Sequence, residues 1–278
     1  MAKLVENLPM EEYHGNKDII SKSMLSDYLD CPLKYKYFHI EGGQKKTTPA
    51  MNIGSAVHTL ALEPDLFHES YYILPADVRR DKRSKAYQEH LDKAQERTII
   101  REQELVDIQN MAKALSENKK AVTLLKASGF IEASIYWKDE QTGLDLRCRP
   151  DFLRSDGVVI DLKVTNSAEP FKFMKTAYDL CYDVSAAMTA FGYEALYGEP
   201  LKEYIFLCIE PKAPHIIEAY STLQEFDEDL TYMRVGQERL DRALTGLADS
   251  MKRDYWPSYA SKIQPLAVPQ YELNKMER

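Results

Sequence analysis

The stretch "LDLRCRPDFLRSDGVVIDLKVT", residues 144–165, reads as two short strands around a turn, yet it places Asp151, Asp161 and Lys163 where half-buried strands usually carry apolar or neutral side chains. Side chains alternate across a strand, so Asp161 and Lys163 share one face while Ile160, Leu162 and Val164 share the other. In the preceding run Arg147, Arg149 and Asp151 share a face, opposite Leu146, Cys148 and Phe152. A loop of Ser155, Asp156 and Gly157, with the glycine left-handed, pairs Arg154 with Val158 and sets Asp151 directly opposite Asp161. Two carboxylates so placed, about 5 Å apart at Cβ, destabilise the pair unless a cation lies between them. A hard divalent ion such as Mg²⁺ supplies that cation, taking carboxylate oxygens and waters. Pro150 cannot donate to a ladder; it marks a strand end or bulge and helps to open the strands at that point. Lys163 beside such an ion can orient or deprotonate an attacking water and offset charge developing on a phosphoryl group. The constellation points to metal-assisted phosphodiester hydrolysis. Spacing alone leaves open a surface hairpin in which Asp161 and Lys163 merely pair.

The flanking sequence extends this hairpin into an α/β order. "FIEASIYW" (130–137), "LDLRCRPDFL" (144–153) and "GVVIDLKV" (157–164) are rich in β-branched and aromatic residues and are separated by turn-forming segments, which predicts an antiparallel meander. Helix follows over 170–197, then two further strands, "EYIFLCIE" (203–210) and "HIIEAYS" (215–221), and helix again over 223–252. The expected fold is a mixed five-stranded sheet flanked by helices, with an irregular tail after Trp256. Before Gly129 the pattern is helical. Residues 21–40 form two short helices broken at Cys31-Pro32, and a small-residue helix carrying His58 should stop at Pro64. Residues 82–127, with Leu105, Ile108, Met111 and Leu115 as an apolar stripe, read as a peripheral arm. Residues 1–128 are thus expected as an N-terminal helical region of the same domain, 129–255 as the core and 256–278 as the tail. His58 can ligate a metal through a neutral imidazole nitrogen or be a packed histidine. Glu132, early in the first strand, is a further oxygen ligand or an edge carboxylate in water.

Composition sets the limits. Of 278 residues, 44% are hydrophobic and 29% charged, which fits a soluble globular chain and excludes disordered or fibrous classes. No apolar run approaches a bilayer-spanning length and the first residues contain no apolar leader, so a cytoplasmic location without a membrane is expected. Cys31, Cys148, Cys181 and Cys208 contain no C-x-x-C pair and read as reduced. A net charge of -8 argues against nucleic acid wrapping the whole surface, but fields are local and a single basic cleft remains compatible. Two basic runs exist, Arg79, Arg80, Lys82, Arg83 and Lys85, and Lys34 with Lys36; each is either a solvated face or a contact for a polyanion.

Pro150-Asp151 followed by Asp161-Leu162-Lys163 matches the PD-(D/E)xK nuclease motif. With "DLKVT" and "KTAYDLCYDVSAAMTAFGYEALYG", the chain resembles the RecE-type exonucleases (exonuclease VIII) of phage recombination, in the RecB-like branch of that superfamily. "GSAVHTLALEP" resembles the helix that supplies the branch's metal-binding histidine, and "SKSMLSDYLDCPLKYKY" its N-terminal helical motif. The resemblance implies a PD-(D/E)xK core and an Mg²⁺-dependent exonuclease, with Mn²⁺ able to substitute. Such an enzyme digests linear duplex DNA 5′ to 3′ from its ends, leaving 3′ strands for a RecT-type annealing partner. It also implies a homo-oligomeric ring, a tetramer among its forms. By the same resemblance the metal set is His58, Asp151 and Asp161 with Leu162, and the catalytic set is Lys163, Asp151, Asp161 and Glu132. Arg149, Thr165 and Ser185 near the site, with Arg79, Arg80, Lys82 and Arg83 of the first basic run, are the candidate DNA contacts. One departure stands out: Ser185 and Thr189 occupy positions where the family often carries Gln and Tyr, and they are too short for those contacts. Iron–sulfur RecB-like nucleases share the CP-containing helix but need a C-terminal cysteine cluster, and no cysteine follows Cys208. A catalytically silent DNA-end-binding module would use the same fold; the intact D-x-K face disfavours it.

Overall fold

The structure, a computed structural model, describes residues 2–45, 48–222, 231–268 and 270–276. The N-terminal part runs β1 (Lys3–Val5), α1 (Met10–Gly15), α2 (Lys22–Asp30), α3 (Pro32–Tyr35) and α4 (Pro49–Leu62). It continues through α5 (Phe67–Ser70), β2 (Tyr71–Leu74), α6 (Lys85–Ala94), β3 (Thr98–Arg101), α7 (Glu102–Glu117) and α8 (Lys119–Leu125). Then come β4 (Gly129–Ile131), β5 (Ser134–Lys138), β6 (Asp145–Cys148), β7 (Phe152–Arg154) and β8 (Val158–Val164). The chain closes with α9 (Pro170–Asp179), α10 (Tyr182–Tyr197), β9 (Glu203–Ile209), β10 (Ile217–Ser221), α11 (Tyr232–Arg253) and α12 (Gln270–Met276).

The mixed five-stranded sheet is present, in the order β10-β9-β8-β7-β4. Its centre is β8, paired antiparallel with β7 and parallel with β9. A parallel pair needs a long crossover, and α9 with α10 supplies it. Because β8 has both faces covered, it reads as an almost continuous apolar run interrupted only by Asp161 and Lys163. Val159, Tyr204, Phe206 and Cys208 pack on one side against α2, α10 and α11. Ile160, Leu162, Leu207 and Ile209 pack on the other against α4 and α7. On the first side α10 and α11 approach closely at Gly236, where any Cβ would collide with the Asp183 carbonyl, and Arg239 grips the buried Asp183 carboxylate at 2.7 Å.

The expected meander is divided between two sheets. "FIEASIYW" breaks between β4 and β5 at Glu132, and "LDLRCRPDFL" breaks between β6 and β7 at Pro150. β5 and β6 pair with each other and with β1 in a separate three-stranded sheet, while β4 and β7 join the large one. The cause is local: Pro150 has no N–H to continue the ladder, and Glu132 takes a left-handed φ of +49°. Glu132 N–H still reaches the Asp151 carbonyl at 3.0 Å, so the two breaks are stitched together.

The charged segment 82–127 is not a peripheral arm. Ile108, Met111 and Leu115 of α7 are buried in the same core as β8 and α4, and β3 interrupts the segment to pair with β2. The helix expected over 170–197 is two helices, separated where Cys181 adopts a φ of +55°. Strands β1, β2 and β3 are short and interrupt the region whose pattern is helical. Of the helix expected over 223–252, residues 223–230 lie outside the described residues; α11 carries the remainder. Among the described residues no helix is long and apolar enough to cross a membrane.

Candidate metal centre

The hairpin between β7 and β8 positions the acidic residues. Gly157 holds a φ of +82°, the left-handed turn position that glycine adopts without strain. Phe152 pairs with Ile160 and Leu153 with Val159, and continuing that register by one residue sets Asp151 opposite Asp161. At the Pro150 break Asp151 leaves the ladder, and its Oδ2 accepts the Leu162 N–H at 2.7 Å. The same oxygen lies 3.3 Å from His58 Nδ1, presented by α4 from the opposite side. The kinked Glu132 backbone delivers a third group. One donor atom each from His58, Glu132 and Asp151 lie within 4.8 Å of one another, all three side chains being half-buried.

Asp161 and Lys163 adjoin this group on the other side of the strand. One Asp161 oxygen contacts Lys163 Nζ and the other accepts the Tyr204 hydroxyl at 2.6 Å. Lys163 Nζ lies 5.2 Å from the centre of the Tyr182 ring, and Lys22 Nζ lies 5.4 Å from the same ring while donating to the Leu180 carbonyl at 2.7 Å.

Electrostatics separate the roles. Burial raises the pKa of Asp151, but the charges of His58 and Lys163 outweigh it and hold the carboxyl well below the usual carboxylate range. Burial, reinforced by the charge of Asp151, pushes Glu132 up from 4.5 to about 8. Burial also raises Asp161, partly opposed by Lys163 and reinforced by Asp151. Burial disfavours the charged forms of Lys163 and His58, yet neighbouring carboxylates prevail: Asp161 and Asp151 raise the lysine, Asp151 and Glu132 the histidine. Burial and then the charge of Lys163 pull Lys22 down to about 8.

The donor set fits a divalent cation. One imidazole nitrogen and two carboxylates converge, and burial with the charge of Asp151 favours the protonated form of Glu132, a cost that a cation bound among them would remove. The remaining sequence-derived residues divide into near and far. Leu162 meets the group through its backbone N–H, its side chain being buried on the other face. Arg149 donates to Ser134 Oγ at 2.8 Å and to the Leu8 carbonyl at 3.0 Å, and its charge partly opposes the rise of the Glu132 pKa. Thr165 is buried at the end of β8, its hydroxyl donating to the Ser167 carbonyl at 3.3 Å. Ser185 and Thr189 line one cavity beside α2, with the Thr189 hydroxyl donating to the Ser185 carbonyl at 2.9 Å. Arg79, Arg80, Lys82 and Arg83 lie apart on the exposed loop from β2 to α6, where Arg80 reaches the Ile99 carbonyl of β3. The four cysteines are buried and unpaired.

Three residues at the site escaped the sequence reading. Tyr204 is invisible because parallel pairing of β8 with β9 cannot be read from either strand alone. Lys22 and Tyr182 sit at helix starts whose approach to β8 is set by tertiary packing. Tyr182 at the start of α10 and Tyr204 near the start of β9 are aromatic residues whose neighbours give no sign of the site, and Lys22 is one polar residue among several in α2.

A central mixed sheet, a carboxylate released at a proline break, and a D-x-K pair on the adjoining strand define the PD-(D/E)xK nuclease fold, whose nucleases use divalent metals. Residues 21–267 match the family described as "PDDEXK-like domain of unknown function (DUF3799)", and the chain belongs to it. No curated protein matches the chain. A solved structure from Eubacterium rectale, named "Putative exonuclease", is 11% identical, spans 97% of this chain and 98% of its own, and superposes with a TM-score of 0.64, which is agreement in fold. The crystal structure of SSO0001 is 13% identical over 80% of this chain and 85% of its own, with a TM-score of 0.28, too low to bear on the fold.

Proposed function

We propose that this protein is a divalent-metal-dependent deoxyribonuclease that hydrolyses phosphodiester bonds of linear duplex DNA from its ends. The observation that carries the proposal is the convergence of His58, Glu132 and Asp151 next to the Asp161–Lys163 pair. His58, Glu132 and Asp151 would hold the ion, with Asp161 adjoining them across the β7–β8 register. Mg²⁺ bound there supplies Lewis-acid charge against the negative charge that develops on a phosphoryl group.

The chain's own residues do the rest. Asp161, fixed by Tyr204, holds the Lys163 ammonium, whose charge also acts on Asp151. Because the carboxylates keep Lys163 protonated, it acts as a hydrogen-bond donor and positive charge toward the phosphate or the attacking water, and not as the base. The Leu162 N–H fixes the Asp151 carboxylate, and its charge in turn holds His58 in place.

Action on ends is supported by the name of the Eubacterium rectale fold neighbour and by the resemblance to RecE-type exonucleases. That resemblance also underlies 5′-to-3′ polarity, the RecT-type annealing partner and the closed ring. Linear and circular duplex DNA incubated with Mg²⁺ or EDTA tests the proposal. Mg²⁺-dependent loss of linear DNA with circles spared is expected. Wild-type protein that leaves both intact in Mg²⁺ and Mn²⁺ overturns it.

A further inference from the structure

We infer that Tyr182 is a positioning residue for the proposed hydrolysis: its ring face sets the direction of the Lys163 ammonium, which the contact with Asp161 by itself leaves free. The inference rests on the nuclease reading and deepens it by assigning a residue that acts through the lysine.

A lysine needs such a guide. Its ammonium is a compact charge with three donors on a four-carbon stem, without the planar fork that would fix its orientation. Asp161 and Lys163 stand two residues apart on one face of β8, so their ion pair ties the ammonium to its own strand and does not aim it. The second contact is the ring of Tyr182, whose centre lies 5.2 Å from Lys163 Nζ. A cation within about 6 Å of a ring centre is drawn to the negative face of the π system, more strongly where water is excluded. The Lys163 side chain is 20% exposed, so little water competes.

The ring can guide because it is itself held. It stacks on Phe206, with centroids 5.6 Å apart and planes at 27°, and meets Phe173 at 6.3 Å. Phe206 is the β9 residue paired with Asp161, and Tyr204, the anchor of Asp161, precedes it on the same face of the strand. One strand therefore fixes both the carboxylate and the ring that Lys163 touches.

The helix end is fixed as well. Tyr182 opens α10 directly after the left-handed Cys181. Arg239 of α11 locks that elbow, donating to the two oxygens of the buried Asp183 at 2.8 and 2.7 Å, to the Tyr178 carbonyl at 3.3 Å and to Cys181 Sγ at 3.2 Å. Lys22 Nζ also lies near the ring, at 5.4 Å, but it is tied to the Leu180 carbonyl at 2.7 Å. Lys163 is thus the ammonium whose direction the ring decides.

Two measurements test this. In EDTA, denaturant unfolding of wild type, Tyr182→Leu, Lys163→Met and the double variant forms a cycle that isolates the contact. Tyr182→Leu should raise the unfolding constant more in wild type than in the Lys163→Met background, by about 2- to 30-fold, the worth of a ring-held cation from exposed to desolvated settings. In Mg²⁺, kcat and KM on linear duplex DNA are compared for Tyr182→Phe, which keeps the ring face, Tyr182→Leu, which removes it, and phenylalanines with one, two or three ring fluorines at position 182, which keep the shape and weaken the face. Tyr182→Phe should retain most of the wild-type kcat. Along the fluorine series kcat should fall stepwise toward the Tyr182→Leu value while KM changes little, a gradation that loss of packing would not give. Absence of coupling in EDTA, a kcat indifferent to fluorination, or a loss in Tyr182→Phe as large as in Tyr182→Leu overturns the inference. Wild-type protein that leaves linear duplex intact in Mg²⁺ and Mn²⁺ overturns the nuclease reading, and the metal-free cycle does not depend on that outcome, so the two failures are distinct.

Discussion

Tyr204 donates its phenolic hydrogen to Asp161 Oδ2 at 2.6 Å, which fixes the carboxylate through one oxygen while the other contacts Lys163. The tyrosine is fully buried on β9, and its hydroxyl has this acceptor inside the core. Tyr204→Phe keeps the ring and removes the anchor. Leaving a buried carboxylate short of one partner should cost about 1–3 kcal/mol of stability. The turnover rate should fall while the Mg²⁺ requirement changes little, because the lysine's support is loosened and the three converging donors are untouched. Melting curves and a metal titration of the rate check both parts.

Asp151→Asn, Asp161→Asn and Lys163→Ala should each lower the rate of DNA hydrolysis by at least about 10²–10³-fold, the scale on which loss of one preorganised charge-stabilising group is felt. Folding should survive each change, read by circular dichroism. Wild-type rates from Lys163→Ala would remove the lysine from the reaction.

His58→Ala should raise the Mg²⁺ concentration needed for half-maximal rate. A directly coordinating imidazole ought to cost at least the ~10–100-fold in metal affinity typical of outer-shell partners. An unchanged titration curve would return His58 to the role of a packed histidine paired with Asp151.

Glu132 gives the metal-free protein a particular pH dependence. Its pKa is raised from 4.5 to about 8, so its contribution to stability is fully present below about 4.5 and is lost as pH rises through about 8. In EDTA the melting temperature should therefore decline across that window, and Glu132→Gln should flatten the decline. Mg²⁺ should raise the melting temperature more at pH 8 than at pH 6, because protons compete with the ion less there. Differential scanning fluorimetry over pH, with and without Mg²⁺, measures all three.

What could be read from the chain follows contact distance. The turn at Gly157 and the opposition of Asp151 and Asp161 lie within one hairpin, where turn chemistry and the alternation of strand side chains determine register. The β-branched and aromatic runs announce a five-stranded sheet, although two of those runs divide between it and a second sheet. The division at Glu132 and Pro150 was only half legible, since the proline announces a break and nothing about Glu132 announces a left-handed backbone. The apolar stripe of α7 is legible, but its packing against α4 is a contact distant in sequence, so its burial in the core is not. The basic run near Arg80 shows the converse. Its composition suggested a polyanion contact, yet its hydrogen bond goes to β3 and not to the site.

The parallel pairing of β8 with β9 also orders events in time. Asp151 and Asp161 meet by closing a short hairpin, whereas Tyr204 reaches Asp161 across a separation of 43 residues, after the whole α9–α10 crossover has been laid down. Contacts that close long loops form more slowly than local ones. During refolding the acidic pair should therefore be juxtaposed before the anchor for Asp161 arrives. In that interval the like charges have little to separate them, and a divalent cation present from the start would act as a template for the hairpin as well as a cofactor.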